Sequence, residues 1–156
     1  MDHIKIGCKA RDLLSGYEGL VSSKSELMNG NVQFAIKTPQ TDGVWVDGMS
    51  FDAVQLEYVD SGISHLTKEP EATTIQLGQE VEDIVSGFVG IATVKTTFLN
   101  GCVYFDVAAK TTKDLETKAM FIPNIRLKVV GDGVLKVIKP AEKPTGGPAT
   151  RAMRPT

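Results

Sequence analysis

Asp12-Leu13-Leu14-Ser15-Gly16-Tyr17-Glu18-Gly19 returns 71 residues later as Asp83-Ile84-Val85-Ser86-Gly87-Phe88-Val89-Gly90, and this recurrence decides how the chain is read. The same offset carries Ile4 through Gly62 onto Ile75 through Gly133 without a gap. Gly7, Asn29, Gly30, Val32, Phe34 and Leu56 then fall on Gly78, Asn100, Gly101, Val103, Phe105 and Leu127. The shared positions are turn formers and alternating apolar residues, so the repeated information concerns folding. The reading is an internal duplication.

Inside each repeat the Ser-Gly step marks a chain reversal, and the later glycine, Gly19 or Gly90, marks a close backbone approach or a bulge. A second reversal is written as Leu27-Met28-Asn29-Gly30 and Leu99-Asn100-Gly101, where Asn-Gly predicts a two-residue type I′ hairpin. Beyond it Val32, Phe34 and Ile36 alternate with polar residues, as do Val103, Phe105 and Val107, which is the pattern of a half-buried strand. Val54, Leu56 and Tyr58, with Ile125, Leu127 and Val129 as counterparts, predict a further strand after Pro123 in the second repeat. No helical stripe appears. Each repeat therefore reads as about five short strands, and the fold class expected is all-β, two tandem SH3-like small β-barrels.

The expected boundaries are 1–62 for the first barrel, 63–74 for an exposed linker carrying Glu69-Pro70-Glu71, 75–138 for the second barrel and 139–156 for a tail rich in proline and glycine. Val134 through Ile138 are read as one more strand. A unit near 60 residues buries only about 60% of its unfolded surface. Docking of the two copies against each other is expected to supply the rest.

Charge separates these segments. The first repeat has five Lys or Arg against eight Asp or Glu and the second six against seven, whereas residues 134–156 carry five basic residues against Glu142 alone. The basic tail, with Lys139, Lys143, Arg151 and Arg154, is the part suited to an acidic partner. The start, Met1-Asp2-His3-Ile4-Lys5, holds no apolar h-region, so export by a signal peptide is not expected. No span long and apolar enough for a membrane is written here. A cytosolic or assembled intracellular product is expected.

The chemistry-bearing residues read as framework. Asp12 and Asp83 precede tight turns, where an aspartate accepts backbone N–H bonds. Ser15 and Ser86 lack a repeated base, since His3 and His65 have no counterparts. Cys8 and Cys102 lie outside the shared framework and read as free thiols. Asp42, Asp47 and Asp52 do not follow an EF-hand spacing, and no metal or cofactor is implied. Trp45 is unshared, standing where the second repeat has Glu116; with Tyr17 and Phe88 it is a candidate for lining a pocket between the copies or for packing one copy on the other.

The turn framework Gly7…Asp12…Ser15-Gly16-Tyr17-Glu18-Gly19…Leu27-Met28-Asn29-Gly30, its second copy, and the Thr145-Gly146-Gly147-Pro148 tail resemble a family of small phage-encoded proteins that usually carry one such unit. That resemblance implies an SH3-like barrel and a phage or prophage origin, and it brings no site residues. A weaker likeness is to KOW-type modules, but those place basic residues around the turn where Glu18, Glu26, Glu80 and Glu82 stand here. Acidic barrels are poor duplex binders because affinity rests on neutralising phosphates.

The function expected is therefore non-enzymatic: a phage head decoration, stabilisation or connector component binding neighbouring virion subunits, itself a possible homo-oligomer. The alternative is an intracellular protein that sequesters a host nucleotide signal or blocks a host protein. Third stands a nucleic-acid accessory that uses the tail.

Overall fold

The computed structural model describes residues 3–39, 48–110 and 119–135. Those residues form ten strands and three short 3-10 turns, an all-β fold. The strands are β1 (Lys9–Asp12), β2 (Glu18–Leu27), β3 (Val32–Lys37), β4 (Met49–Asp52), β5 (Leu56–Asp60), β6 (Glu80–Asp83), β7 (Val89–Phe98), β8 (Val103–Ala109), β9 (Ala119–Pro123) and β10 (Leu127–Gly131). Ala53–Gln55 and Asn124–Arg126 make 3-10 turns ahead of β5 and β10, and Ser64–Leu66 makes a third in the connector. Each strand from β1 to β5 thus has a counterpart about 71 residues on.

All pairings are antiparallel and all ten strands belong to one open sheet. In the first half the order is β5-β1-β2-β3-β4, and in the second β10-β6-β7-β8-β9. Irregularities recur with the strands: the register shifts between Val21 and Ser23 in one half and between Ala92 and Val94 in the other. The side chains at those bulges, Ser22 and Thr93, each donate to a carbonyl on the next strand, that of Ala35 and Asp106.

Two cores result. One gathers Cys8, Ala10, Val21, Phe34, Ile36 and Leu56, the other Val81, Ala92, Val103, Phe105, Val107 and Ile122. Gly19 and Gly90 allow a close backbone approach of β2 to the end of β3 and of β7 to the end of β8. A Cβ there would sit 2.3 Å from the carbonyl oxygen of Lys37 or Ala108, so the close approach expected from the sequence is present.

The halves meet edge to edge. The C-terminal part of β2 pairs with that of β7, Ser23 opposite Phe98, Ser25 opposite Thr96 and Leu27 opposite Val94. Under the 71-residue offset this register maps onto itself, with Ser25 facing its own counterpart, and their hydroxyls hydrogen-bond at 3.0 Å. The pairing has the self-complementary form of an isologous interface within one chain.

Three expectations change in detail. The Asn-Gly reversal is not a two-residue turn: Leu27 N–H donates to Asn31 O, and Gly30 N–H donates to Leu27 O, so Met28, Asn29 and Gly30 form a three-residue loop. Asn29 Oδ1 accepts the Asn31 N–H, and the left-handed conformation falls on Gly30 at φ 93°, as in a hairpin closed by a glycine bulge. Val54 and Ile125 lie on 3-10 turns rather than on the strands that begin at Leu56 and Leu127. Val134 and Leu135 close a turn, through Val134 N–H to Gly78 O and Leu135 N–H to Asp132 O, instead of starting a strand; residues 136–138 lie outside the described residues.

The connector is largely exposed but tied down. Its start follows the first half, with Ile63 N–H on Gly7 O; its continuation lies on the second, with Lys68 N–H on Leu99 O and Glu71 N–H on Gly101 O. Val103 N–H reaches the Glu71 carboxylate at 3.0 Å.

Candidate functional site

The turn after β1, and its counterpart after β6, hold the repeated aspartates. Asp12 N–H donates to Tyr17 O and Gly16 N–H to Asp12 O, which closes the loop. Asp12 Oδ2 accepts both the Ser15 N–H at 2.9 Å and the Ser15 hydroxyl at 2.6 Å. That hydroxyl in turn accepts the Tyr17 N–H at 3.2 Å. Around Asp83 the Ser86 hydroxyl does the same, at 2.6 Å to the carboxylate and 3.2 Å from the Phe88 N–H. Each serine hydroxyl thus has a structural donor and acceptor role, and each aspartate serves the turn role read from the sequence.

The two turns differ at the backbone donor, Ser15 N–H on Asp12 Oδ2 against Val85 N–H on Asp83 Oδ1, and at one side-chain partner. In the second half Arg126 closes on Asp83, Nε to Oδ1 at 3.0 Å and Nη2 to Oδ2 at 2.5 Å. This bidentate pair, helped by the Ser86 hydroxyl, holds the Asp83 carboxyl far below the usual carboxylate range. In the first half the equivalent position is Gln55. Asp12 is only 3% exposed and its Oδ1 has no hydrogen-bond partner among the described residues. The Ser15 hydroxyl still draws the Asp12 carboxyl below its ordinary value, so the group is ionised at neutral pH.

Beside each aspartate the loop tip and the 3-10 turn are laced together, by Leu13 N–H on Gln55 O and Ile84 N–H on Arg126 O, both at 2.8 Å. Each half consequently offers three exposed large apolar side chains at equivalent positions. Leu13, Leu14 and Val54 are 59, 80 and 87% exposed; Ile84, Val85 and Ile125 are 60, 70 and 78% exposed. Scattered exposed apolar residues are ordinary, whereas apolar groups brought together on a surface mark interaction sites. The identity of the residue changes at all three positions and its apolar character does not.

Ion pairs flank the tips. Arg11, opposite Glu57 on β5, bonds both Glu57 and Glu18, while Lys9 also reaches Glu18. In the second half the cross-strand pair is reversed in sign, Glu82 opposite Lys128 at 3.3 Å. Opposite charge across β1–β5 and β6–β10 is retained although each residue has changed.

Other surface features belong to one half only. Phe98, Tyr104 and Phe121 form an aromatic cluster on β7, β8 and β9, with Tyr104 and Phe121 stacked at 4.7 Å. Asp106 lies opposite Phe121, and burial raises its carboxyl above the ordinary value. A depression of about 380 Å³ between the halves is lined by Ser22, Leu66, Lys68, Phe98, Leu99 and Asn100.

The sequence candidates are placed as follows. Tyr17 packs against the first core and Phe88 against the second, so the structure does not bring them together, and neither lines the depression between the halves. Trp45, Asp42, Asp47, Lys139, Lys143, Arg151 and Arg154 lie outside the described residues. Cys8 is a buried free thiol and Cys102 a half-buried one. Among the described residues no three His, Cys, Asp or Glu side chains converge as a metal site requires, and no helix is long and apolar enough to cross a membrane. The apolar tips and the Arg126 contact escaped the sequence reading. Three apolar residues retained at turn positions across the repeat were the available signal.

Neither a protein-family model nor a curated protein nor a solved structure matches this chain.

Proposed function

We propose that the chain is a non-enzymatic structural or accessory protein of a phage particle, built as two SH3-like barrels by internal duplication, whose two apolar tips dock on neighbouring protein subunits. The five-strand order in each half, with a 3-10 turn before the last strand, supports the barrel reading. The recurrence of elements and bulges at one offset supports the duplication. The phage context rests on the resemblance of the turn framework and tail.

The observation that carries the docking role is the pair of apolar trios, Leu13, Leu14 and Val54 with Ile84, Val85 and Ile125, exposed in both halves. Among the described residues these side chains are mostly uncovered, and apolar groups gathered on a surface mark interaction sites. Two equivalent tips on one sheet suit a partner that presents the same surface twice, since linking two contacts raises avidity without any new kind of contact.

The test is quantitative mass spectrometry on purified particles, normalised to the major capsid protein, for the wild type and for a Leu14→Ser, Val85→Ser double variant. Stoichiometric wild-type copies and a variant that folds normally but is depleted from particles support the reading. Absence of the wild-type protein from particles removes it.

A second reading, an intracellular protein that sequesters a small host ligand, draws on the depression beside Phe98 and Leu99, where Lys68 supplies a cation. A ligand that survives purification and raises the melting temperature supports that alternative.

A further inference from the structure

We propose that the first-half tip is an arginine receptor: the carboxylate of Asp12, framed by Leu13, Leu14 and Val54, takes the guanidinium of an arginine presented by a partner protein. The inference rests on the reading of the tips as docking surfaces and adds the chemistry of what docks.

The second half supplies the template. There the same turn holds an arginine in place, Arg126 spanning both oxygens of Asp83 while its own side chain remains 39% exposed. A guanidinium thus reaches this turn's carboxylate from its outer side; the same approach at Asp12, whose Oδ1 is buried, requires the covering side chains to move aside. With Gln55 in place of Arg126, Asp12 keeps the serine hydroxyl contact and the closed turn, takes the Ser15 N–H on Oδ2 where Asp83 takes the Val85 N–H on Oδ1, and has no hydrogen-bond partner on Oδ1 among the described residues. An ionised carboxylate with an unused acceptor has room for a further donor, and a charge-assisted bidentate pair is the strongest contact available to it.

Nothing within the described residues provides that remedy. Arg11, the neighbouring cation in sequence, is engaged with Glu18 and Glu57. The Gln55 side chain makes no hydrogen bond among the described residues, so displacing it breaks none. Charge complementarity thus selects a cation, the planar two-oxygen geometry selects arginine over lysine, and the surrounding leucines and valine select an arginine flanked by apolar residues. The two tips then have different tasks: both offer apolar contact, and only the first also offers a charge to be met.

The experiment follows backbone amide shifts of the full chain by NMR during titration with N-acetyl-L-arginine methylamide, with the lysine analogue as control. The expected result is a saturable shift at Leu13 through Gly16, with the lysine analogue at least about tenfold weaker because it lacks the fork geometry. Ile84 through Gly87 stay still, since Arg126 already fills that site. Gln55→Arg, which supplies the missing group in cis, abolishes the response. The proposal is overturned by no saturable shift in the wild type, by equal response at both tips, by equal response to lysine, or by an undiminished response in Gln55→Arg. Failure here with normal loss of the Leu14→Ser, Val85→Ser protein from particles leaves the docking reading standing and removes only the arginine.

Discussion

Replacing Gly30 by alanine and, separately, Gly101 by alanine places one perturbation at two equivalent points of the repeat whose surroundings differ. Both glycines have positive φ, 93° and 86°, so alanine suffers the left-handed backbone cost at either, about 1–2 kcal/mol. At Gly30 nothing lies within 4 Å of an added Cβ. At Gly101 the Cβ would stand 2.3 Å from the carbonyl oxygen of Glu69, a backbone atom that has to move. Moving it threatens the contacts that lay the connector on the second half, Lys68 N–H to Leu99 O and Glu71 N–H to Gly101 O. At a net value of roughly 1 kcal/mol each, their loss brings Gly101→Ala to about 3–4 kcal/mol. The difference between the variants is then about 2 kcal/mol, or roughly 4–8 °C in melting temperature for a chain of this size. Thermal unfolding measures it, and hydrogen exchange localises it: the amides of Lys68 and Glu71 lose protection in Gly101→Ala and keep it in Gly30→Ala. Equal destabilisation of both variants, or unchanged exchange at Lys68 and Glu71, refutes the seat assigned to the connector.

The two aspartate turns predict an acid limb. Both Asp12 and Asp83 have depressed carboxyl pKa values, so their stabilisation is complete above the unfolded value near 3.9 and is lost as the pH falls through the folded value. Arg126→Gln raises the folded value of Asp83 and moves the midpoint of acid unfolding to higher pH. Asp106 has the opposite sign: burial raises its carboxyl, so its contribution is favourable at low pH and lost as the pH rises through the folded value. Asp106→Asn is accordingly expected to stabilise the protein at pH 7 and to lose that advantage near pH 3, checked by melting at the two values. In the second core, Phe105→Ala removes a fully buried ring and costs about 3–5 kcal/mol, read by denaturant unfolding. Leu14→Ser, at 80% exposure, shifts stability by less than about 0.5 kcal/mol while weakening any docking through the tip.

The strands were legible because their information is local. Val32, Phe34 and Ile36 alternate over six residues, and Gly19 and Gly90 recur where a neighbouring carbonyl leaves no room for a Cβ. The hairpin loop was misjudged by one residue. Asn-Gly fits both a two-residue turn and a three-residue loop closed by a glycine bulge, and the choice depends on which cross-strand pair closes it, here Leu27 with Asn31. Val54 and Ile125 continued an apolar alternation on paper, yet the 3-10 turn shifts the side-chain period and turns both outward. The Asp83–Arg126 pair spans 43 residues, and a comparison of the repeats emphasises positions that agree, whereas this contact lies where they differ. The aromatic cluster was hidden for the same reason, since Phe98, Tyr104 and Phe121 stand where the first half has Leu27, Gln33 and Ser50.

The differences between the halves therefore carry the functional argument. The β2–β7 pairing is symmetric about Ser25 and Thr96, so the edge that joins the halves has no reason to favour one over the other. The connector removes that equivalence by lying on the Asn100-Gly101 loop, and position 55 removes it again by leaving Asp12, among the described residues, without the cation that Asp83 has. Against this background the apolar tips, like Met49 and Met120, are exposed positions at which the two halves share apolar character. A fold that only needed to be stable would keep its two cores and release its tips to polar residues, because exposed apolar side chains contribute little to stability and favour aggregation. Apolar tips in both halves, beside a carboxylate paired with arginine in one and, among the described residues, not in the other, would give the proposed docking protein two contacts of unequal specificity.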